Sequence, residues 1–419
     1  MTEKVIEVDY IARVEGQGSI NIVVDRGKVK KVEFAVFEPP KFFEAFLIGR
    51  KFDEVMEITS RICGICPVAH QITALRAIEK ALALTVSQQT RDLRRLLALS
   101  GHISSATLSM YFLSLPDLMG YESALTLATK YPKIVKRGFR LKKLGNDITD
   151  LVGERAVHPV TAVVNKFTKI PSKQCLDHVK ERLNQAKIDA ERTVEMFAEL
   201  PFPNLQSDEE LVALTHPKKY AINEGRLVSN KGLDTREEEY RKYIVERQVK
   251  HSTAKHSLTA LRGSFMVGPL ARVTLNYNQL SDEAKRVAET YSFKRQSSNP
   301  FISHLARAIE VLDFICESIV IIDRLSLKEE SRSFKIKAGF GHAITEAPRG
   351  ILYHSYNIDG EGIVRSADIV PPTAHNAKNI EKDMHLLVEM IPDLSVDEMT
   401  HMCEMLIRAY DPCISCSVH

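Results

Sequence analysis

Two Cys-x-x-Cys pairs, Cys63-Gly64-Ile65-Cys66 and Cys413-Ile414-Ser415-Cys416, stand near opposite ends of the chain. Brought together, they offer four soft thiolates to one metal centre, which suits zinc, an iron–sulfur cluster or a soft transition metal. Spacing alone does not choose among these, and a structural zinc is the plainest alternative. Pro67, directly after Cys66, fits the first turn of a helix, where its missing N–H costs nothing. The first pair then lies at a helix N-terminus, whose partial positive charge favours thiolate over thiol. The other three of the seven cysteines, Cys175, Cys316 and Cys403, are scattered through helical patterns and read as buried reduced thiols. They are too few and too dispersed for a further cluster. An electron-producing centre in this chain therefore needs a partner to carry its electrons away.

The residues around the thiols narrow the choice. In chain order stand Arg13-Val14-Glu15-Gly16, then Arg61-x-Cys63-x-x-Cys66-x-x-x-His70, then Glu346-Ala347-Pro348-Arg349-Gly350, and last Asp411-Pro412-Cys413-x-x-Cys416-x-x-His419. Together they resemble the large subunit of nickel–iron hydrogenases over essentially the whole chain, nearest the cytoplasmic pyridine-nucleotide-linked, sulfhydrogenase-type branch. The resemblance implies that Cys63, Cys66, Cys413 and Cys416 bind nickel, with Cys66 and Cys416 also bridging to an iron that carries carbon monoxide and cyanide. It implies that Arg349, Pro348 and Thr373 surround those diatomic ligands, with Asp117 and Asp411 as carboxylates about the arginine. His70 corresponds to a donor to a cysteine sulfur, and Glu15 to a proton-relay carboxylate near the terminal cysteine. Glu44 and His419, with the carbonyl near Ile369, match the ligands of a magnesium ion. His158 matches a residue near the electron-transfer partner.

The implied activity is reversible heterolytic cleavage of dihydrogen, which needs a Lewis acid and a nearby base. The implied partners are an iron–sulfur small subunit, flavin- and NAD(P)-binding diaphorase subunits and a maturation protease. On this reading the chain itself holds no flavin and no iron–sulfur cluster, and His419 is the end left by removal of a short tail. The competing class is a non-catalytic metal-binding or respiratory-complex structural subunit; relatives of that kind lack the thiols that all stand here.

These residues must be positioned by an α+β fold, chiefly a long-helix bundle with small sheets, in a single 1–419 domain. Alternation in Ser19–Val24 and Lys30–Phe37 around Asp25-Arg26-Gly27 predicts an N-terminal β hairpin within 1–37. Helical spacing follows over 41–58, and Leu75, Ile78 and Leu82 continue the helix begun at Pro67. Long helices are expected from 86 to 200, broken at Pro116, Pro132, Pro159 and Pro171. The polar stretch 201–240 reads as a surface excursion with a small hairpin around Gly225 to Gly232, and Glu237-Glu238-Glu239 as a solvated helix face. Helical spacing resumes from 240 and again over 301–325. Residues 334–370 turn β-rich, opening at Phe334-Lys335-Ile336-Lys337, and helices return from 373 to 410. Gly16-x-Gly18 lacks a third glycine and precedes a strand, so it is no dinucleotide fingerprint.

Composition excludes other classes. The 57 basic and 54 acidic residues of 419 nearly cancel at +3, which lacks the concentrated basic footprint that nucleic-acid binding needs. The start, Met1-Thr2-Glu3-Lys4-Val5, shows no signal-peptide pattern. The absence of a long uncharged apolar run predicts no membrane span. A cytoplasmic location is expected.

Overall fold

A computed structural model describes residues 4–293, 297–330 and 333–418; His419 lies outside them. Strands β1 (Lys4–Val8), β2 (Gly18–Asp25) and β3 (Lys28–Val36) form an antiparallel sheet, one strand more than the predicted hairpin. The helical spacing over 41–58 resolves into two short helices, α1 (Phe43–Leu47) and α2 (Val55–Ser60). Helix α3 (Pro67–Ala81) starts with Pro67 in its first turn and Cys66 at its N-cap, as the sequence predicts.

The long helices follow: α4 (Gln88–Leu108), α5 (Pro132–Gly153), α6 (Lys173–Glu199) and α7 (Ser303–Arg324). Ser87 and Ser172 cap α4 and α6 by accepting the N–H groups of Thr90 and Cys175. Helices α4 and α5 cross closely because Gly145 has no side chain; a Cβ there would stand 2.7 Å from the Ser104 nitrogen. The predicted break at Pro116 does not occur. Helix α4 runs into a π-helical stretch, Ser109–Ser114, and then a helical turn, Leu115–Leu118. A widened turn absorbs the hydrogen bond that proline cannot donate. The resulting helix, Gln88–Leu118, is long and apolar enough to cross a membrane by length and composition alone. Yet 72% of its most apolar stretch is buried within the molecule, as in a core helix.

Residues 201–240 are not a surface excursion. Strands β4 (Val212–Thr215), β5 (Arg226–Ser229) and β6 (Asp234–Thr235) form a sheet, in which β5 and β6 are the expected small hairpin. Val212, Leu214, Leu227 and Tyr240 pack with Ile344, Ile351 and Tyr353 in a second apolar core. The apolar residues of these short strands are outnumbered by the polar residues between them, which hides the pattern. Glu237 is likewise buried, bonded to Arg76, Lys80 and the Ile344 amide. After a single helical turn, Tyr240–Tyr243, the expected helix gives way to the hairpin β7 (Ile244–Arg247) and β8 (His256–Thr259).

The β-rich region is an antiparallel sheet of β9 (Gly339–Ala347), β10 (Gly350–Ile358) and β11 (Val364–Val370); its first strand opens at Gly339, not Phe334. β9 presses directly on α3, and a Cβ at Gly341 would lie 2.0 Å from the Ala77 carbonyl oxygen. Helices α8 (Pro372–Met390) and α9 (Val396–Tyr410) complete the order. Cys316 and Cys403 are buried as expected, whereas Cys175 is exposed on the first turn of α6.

Candidate metal centre

The four thiols converge from two loops. Cys63 and Cys66 precede and cap α3, and Cys63 Sγ accepts the N–H groups of Ile65 (3.3 Å) and Cys66 (3.1 Å). These are the free donors of a helix start, turned on sulfur. Cys413 and Cys416 follow α9, whose last turn is ended by Asp411 in the left-handed conformation (φ 56°). Aspartate tolerates that conformation, and it sends the chain back into the core. The Sγ atoms of Cys63 and Cys413 stand 3.3 Å apart, those of Cys66 and Cys416 3.8 Å, and those of Cys413 and Cys416 2.7 Å. All four sulfurs lie within 4.8 Å of one another, and all are buried. Burial pushes the Cys413 and Cys416 thiols up. Hydrogen bonds from the other thiols, aided by the charge of Arg349, hold Cys63 well below the usual thiol range.

The N-terminal motif clips onto the C-terminal one. Glu15 and Cys413 form a parallel bridge, with the Ile414 N–H donating to the Glu15 carbonyl (2.9 Å). This aims the Glu15 side chain at the thiols. Its Oε2 lies 3.1 Å from Cys413 Sγ and accepts the Ser415 N–H at 3.1 Å, while Oε1 accepts the Ser415 hydroxyl. The Thr373 hydroxyl, at the start of α8, accepts the Cys413 N–H (2.9 Å) and keeps its own hydrogen to donate.

Arg349 occupies the tight turn between β9 and β10. Its Nε donates to the Asp411 carbonyl (2.6 Å) and Nη2 to the Asp411 carboxylate (3.2 Å). Burial opposes its charge, but Asp411 and the surrounding thiols hold its pKa well above the ordinary arginine value. Nη1 is buried with no hydrogen-bond partner among the described residues, so an arginine N–H is left for an acceptor the chain does not supply. Asp117 does not join Arg349; it bridges Arg13 and Arg408 (Nε to Oδ2, 2.6 Å). The helical continuation through Pro116 delivers its carboxylate to those two guanidinium groups instead. Pro348, Cys66, Val68, Ala69 and Ile72 line a small cavity beside the thiols.

Sequence reasoning missed several supports. Arg272, fully buried, pairs with Glu310 (2.6 and 2.8 Å) and Glu346 (3.2 Å) and donates to the carbonyls of Ala347 and Pro348. It thereby fixes the turn that presents Arg349. His70 Nδ1 lies 3.2 Å from His354 Nε2, and His354 Nδ1 lies 2.7 Å from the Tyr356 hydroxyl. His354 and Tyr356 sit in an alternating strand with no motif to mark them. Glu44, half-buried on α1, accepts the Ile369 amide N–H (2.7 Å); the contact is with that amide, where the sequence reading expected the neighbouring carbonyl to share a metal. Val418 accepts the Lys41 N–H (2.6 Å), which brings the chain's last described residue to the α1 region. His158, at a positive φ of 54°, bonds through Nδ1 to the Ser60 carbonyl (3.0 Å) beside the first thiol loop.

Four buried soft donors and an unsatisfied arginine N–H are what a thiolate-held metal with acceptor ligands calls for. Residues 41–152 and 229–419 match the family profile "Nickel-dependent hydrogenase". The chain is 38% identical to sulfhydrogenase 1 subunit alpha of Pyrococcus furiosus, over 99% of this chain and 97% of that one. To sulfhydrogenase 2 subunit alpha of the same organism it is 32% identical, over 99% of each. In fold it is similar to an NAD+-reducing [NiFe]-hydrogenase in the H2-reduced state, with a TM-score of 0.88 and 22% identity over 99% of each chain. The chain belongs to the nickel-dependent hydrogenase family. Within it, this is the catalytic large subunit of a nickel–iron hydrogenase, one component of a multi-subunit enzyme.

Proposed function

We propose that the enzyme splits dihydrogen reversibly at a centre held by Cys63, Cys66, Cys413 and Cys416, with Glu15 as its first proton acceptor beyond sulfur. The nickel–iron pair supplies the Lewis acid and the electron sink when bound. Together with Cys63 and Cys413, Cys66 and Cys416 would hold the nickel–iron pair, whose iron would carry carbon monoxide and cyanide. The free Nη1 of Arg349 and the spare hydrogen of Thr373 suit those acceptors, and Pro348 with the apolar lining keeps water away. Asp411 holds Arg349 in place and balances its charge in a dry pocket, where an unpaired cation is costly. Cys413 Sγ holds a proton released by the cleavage and passes it to Glu15 Oε2. The 3.1 Å separation of these two atoms carries this reading, since direct transfer requires hydrogen-bond reach.

His70 tunes the centre from the first turns of α3. Glu44, the Ile369 carbonyl and His419 would hold a magnesium ion; the carboxylate and carbonyl oxygens suit such a hard cation. The two electrons leave through an iron–sulfur small subunit and pass by flavin-containing diaphorase subunits to NAD(P), in a cytoplasmic complex. The exposed Tyr10, Phe37, Phe42 and Phe46 and the position of His158 suit a docked small subunit. A maturation protease is a further partner on this reading.

Elemental analysis and infrared spectroscopy of the purified complex test this reading. Nickel in proportion to the chain, with triple-bond stretching bands, is expected, and Cys63→Ser or Cys416→Ser abolishes hydrogen turnover. A complex without nickel overturns it.

A further inference from the structure

A second cluster of metal-binding side chains lies outside the thiol centre. Helix α8 starts at the thiols with Thr373 and carries Glu381 eight residues on, about 12 Å along its axis. There it meets the loop joining β7 to β8. His251 Nε2 lies 2.7 Å from Glu381 Oε1, and His256 Nδ1 lies 4.0 Å from Oε2. One ligand atom from each of the three residues falls within 4.8 Å of the others.

His256 gives the cluster its meaning. Its side chain is 3% exposed, and neither ring nitrogen has a hydrogen-bond partner among the described residues. A buried imidazole left so is costly, and an orphaned ring beside a carboxylate and a second imidazole, its centroid 5.6 Å away, points to an absent partner. Burial pushes the His256 pKa down to about 4, against the opposing pull of Glu381. The ring is therefore neutral near pH 7, the form that ligates metal.

We propose that His251, His256 and Glu381 bind a zinc ion, separate from the thiol centre, that clasps the N-terminal sheet and the β7–β8 hairpin to α8. Zinc takes nitrogen and carboxylate ligands at about 2.0–2.1 Å, so neighbouring donors in a tetrahedral site lie roughly 3.4 Å apart. The 2.7 Å contact must open and the 4.0 Å gap must close by less than about 1 Å each. Lys378, 2.9 Å from Glu381 Oε2, is half-exposed, so it can turn out to solvent and release that oxygen. Glu33 Oε1, 3.9 Å from His251 Nδ1, provides the carboxylate that commonly orients a zinc-bound histidine. The Phe34 N–H on Glu381 Oε1 (3.3 Å) ties β3 to the same carboxylate. His251 is 22% exposed, which opens the fourth position to water. The arrangement is that of a clasp reached from the surface.

The test uses the purified, nickel-loaded complex. It is treated with chelator, re-equilibrated with zinc chloride at about 10 µM, and analysed for metals and thermal stability. Native complex should hold one zinc per large subunit more than the His256→Ala or Glu381→Gln complexes. Nickel content should be equal in all, and the rise in Tm on adding zinc should vanish in the variants. His251→Ala, at the exposed edge, gives the same comparison should His256→Ala fail to fold. Equal zinc in native and variant complexes, or no zinc-dependent rise in Tm, overturns the proposal. Loss of nickel from the native complex bears only on the thiol centre.

Discussion

Replacing Glu15 with glutamine separates proton transfer from the construction of the site. The carboxylate now faces three donors: the Cys413 thiol at 3.1 Å, the Ser415 N–H at 3.1 Å and the Ser415 hydroxyl. A glutamine fills the same space and keeps one oxygen for the Ser415 N–H, while its NH2 group can donate to the Ser415 oxygen. The exchange therefore costs about 1 kcal/mol of stability, which in a chain this large moves Tm by about 2 °C or less. An amide cannot take up and release a proton near neutral pH. Losing one positioned acid–base group lowers turnover by about 10²- to 10⁴-fold. Glu15→Asp retains the titratable group but withdraws it by one methylene, about 1.5 Å, so its turnover should fall between the two. The assay is hydrogen-dependent dye reduction by the purified complex, alongside nickel content and the infrared bands of the centre. Turnover of Glu15→Gln within threefold of native refutes the relay. Loss of nickel means instead that Glu15 holds the terminal motif in place.

Arg272→Met strands Glu310 and Glu346 in the core and frees the turn bearing Arg349, so denaturant unfolding should show a loss of about 3–5 kcal/mol; a loss under 1 kcal/mol contradicts the assigned role. Gly341→Ala drives a methyl group into the Ala77 carbonyl and should cost at least about 3 kcal/mol by the same measurement, whereas an unchanged midpoint rejects the close approach of β9 to α3. The Asp383 carboxyl is pushed up to about 8 by burial and by neighbouring Glu209, against about 4 in an unfolded chain. The folded protein thus binds more protons, and this contribution is complete below pH 4 and lost as pH rises to 8. Asp383→Asn should flatten the fall of Tm between pH 6 and 8; an unaltered slope counts against it. The separated large subunit should reduce an external dye with hydrogen poorly until an iron–sulfur small subunit is added, and full activity alone would remove the need for that partner.

The metal centre was legible because its residues are fixed by chemistry and concentrated in short motifs. Four thiols, a glycine-flanked glutamate and an arginine in a proline–glycine turn leave few other readings, and they do converge. What sets them in place was less legible. Arg272 and Glu310 sit in helical stretches where a charged residue looks like a solvated face, and only the packing shows them buried. Asp117 follows a proline that ordinarily ends a helix, yet a π turn carries the chain past it to different arginines. Strand β4 is so short that polar neighbours outvoted Val212 and Leu214, and the small hairpin beside it gave no sign of being buried. His354 and Tyr356 became visible only once the strand was placed beside α3.

The 350-residue separation of the two thiol pairs also dictates an order of events during synthesis. Closing a loop of that length costs about 5 kcal/mol of chain entropy, so the first pair cannot hold its partner until most of the molecule between them has folded. The nascent chain emerges with Cys63 and Cys66 already at the head of a helix, while Cys413 and Cys416 do not yet exist. Because Glu15 pairs with Cys413 as the next strand would in a sheet, the last segment closes over the pocket like a bolt pushed home. Metal must therefore enter a nearly finished body before that bolt slides, and an error in timing would leave a well-folded protein sealed around an empty centre.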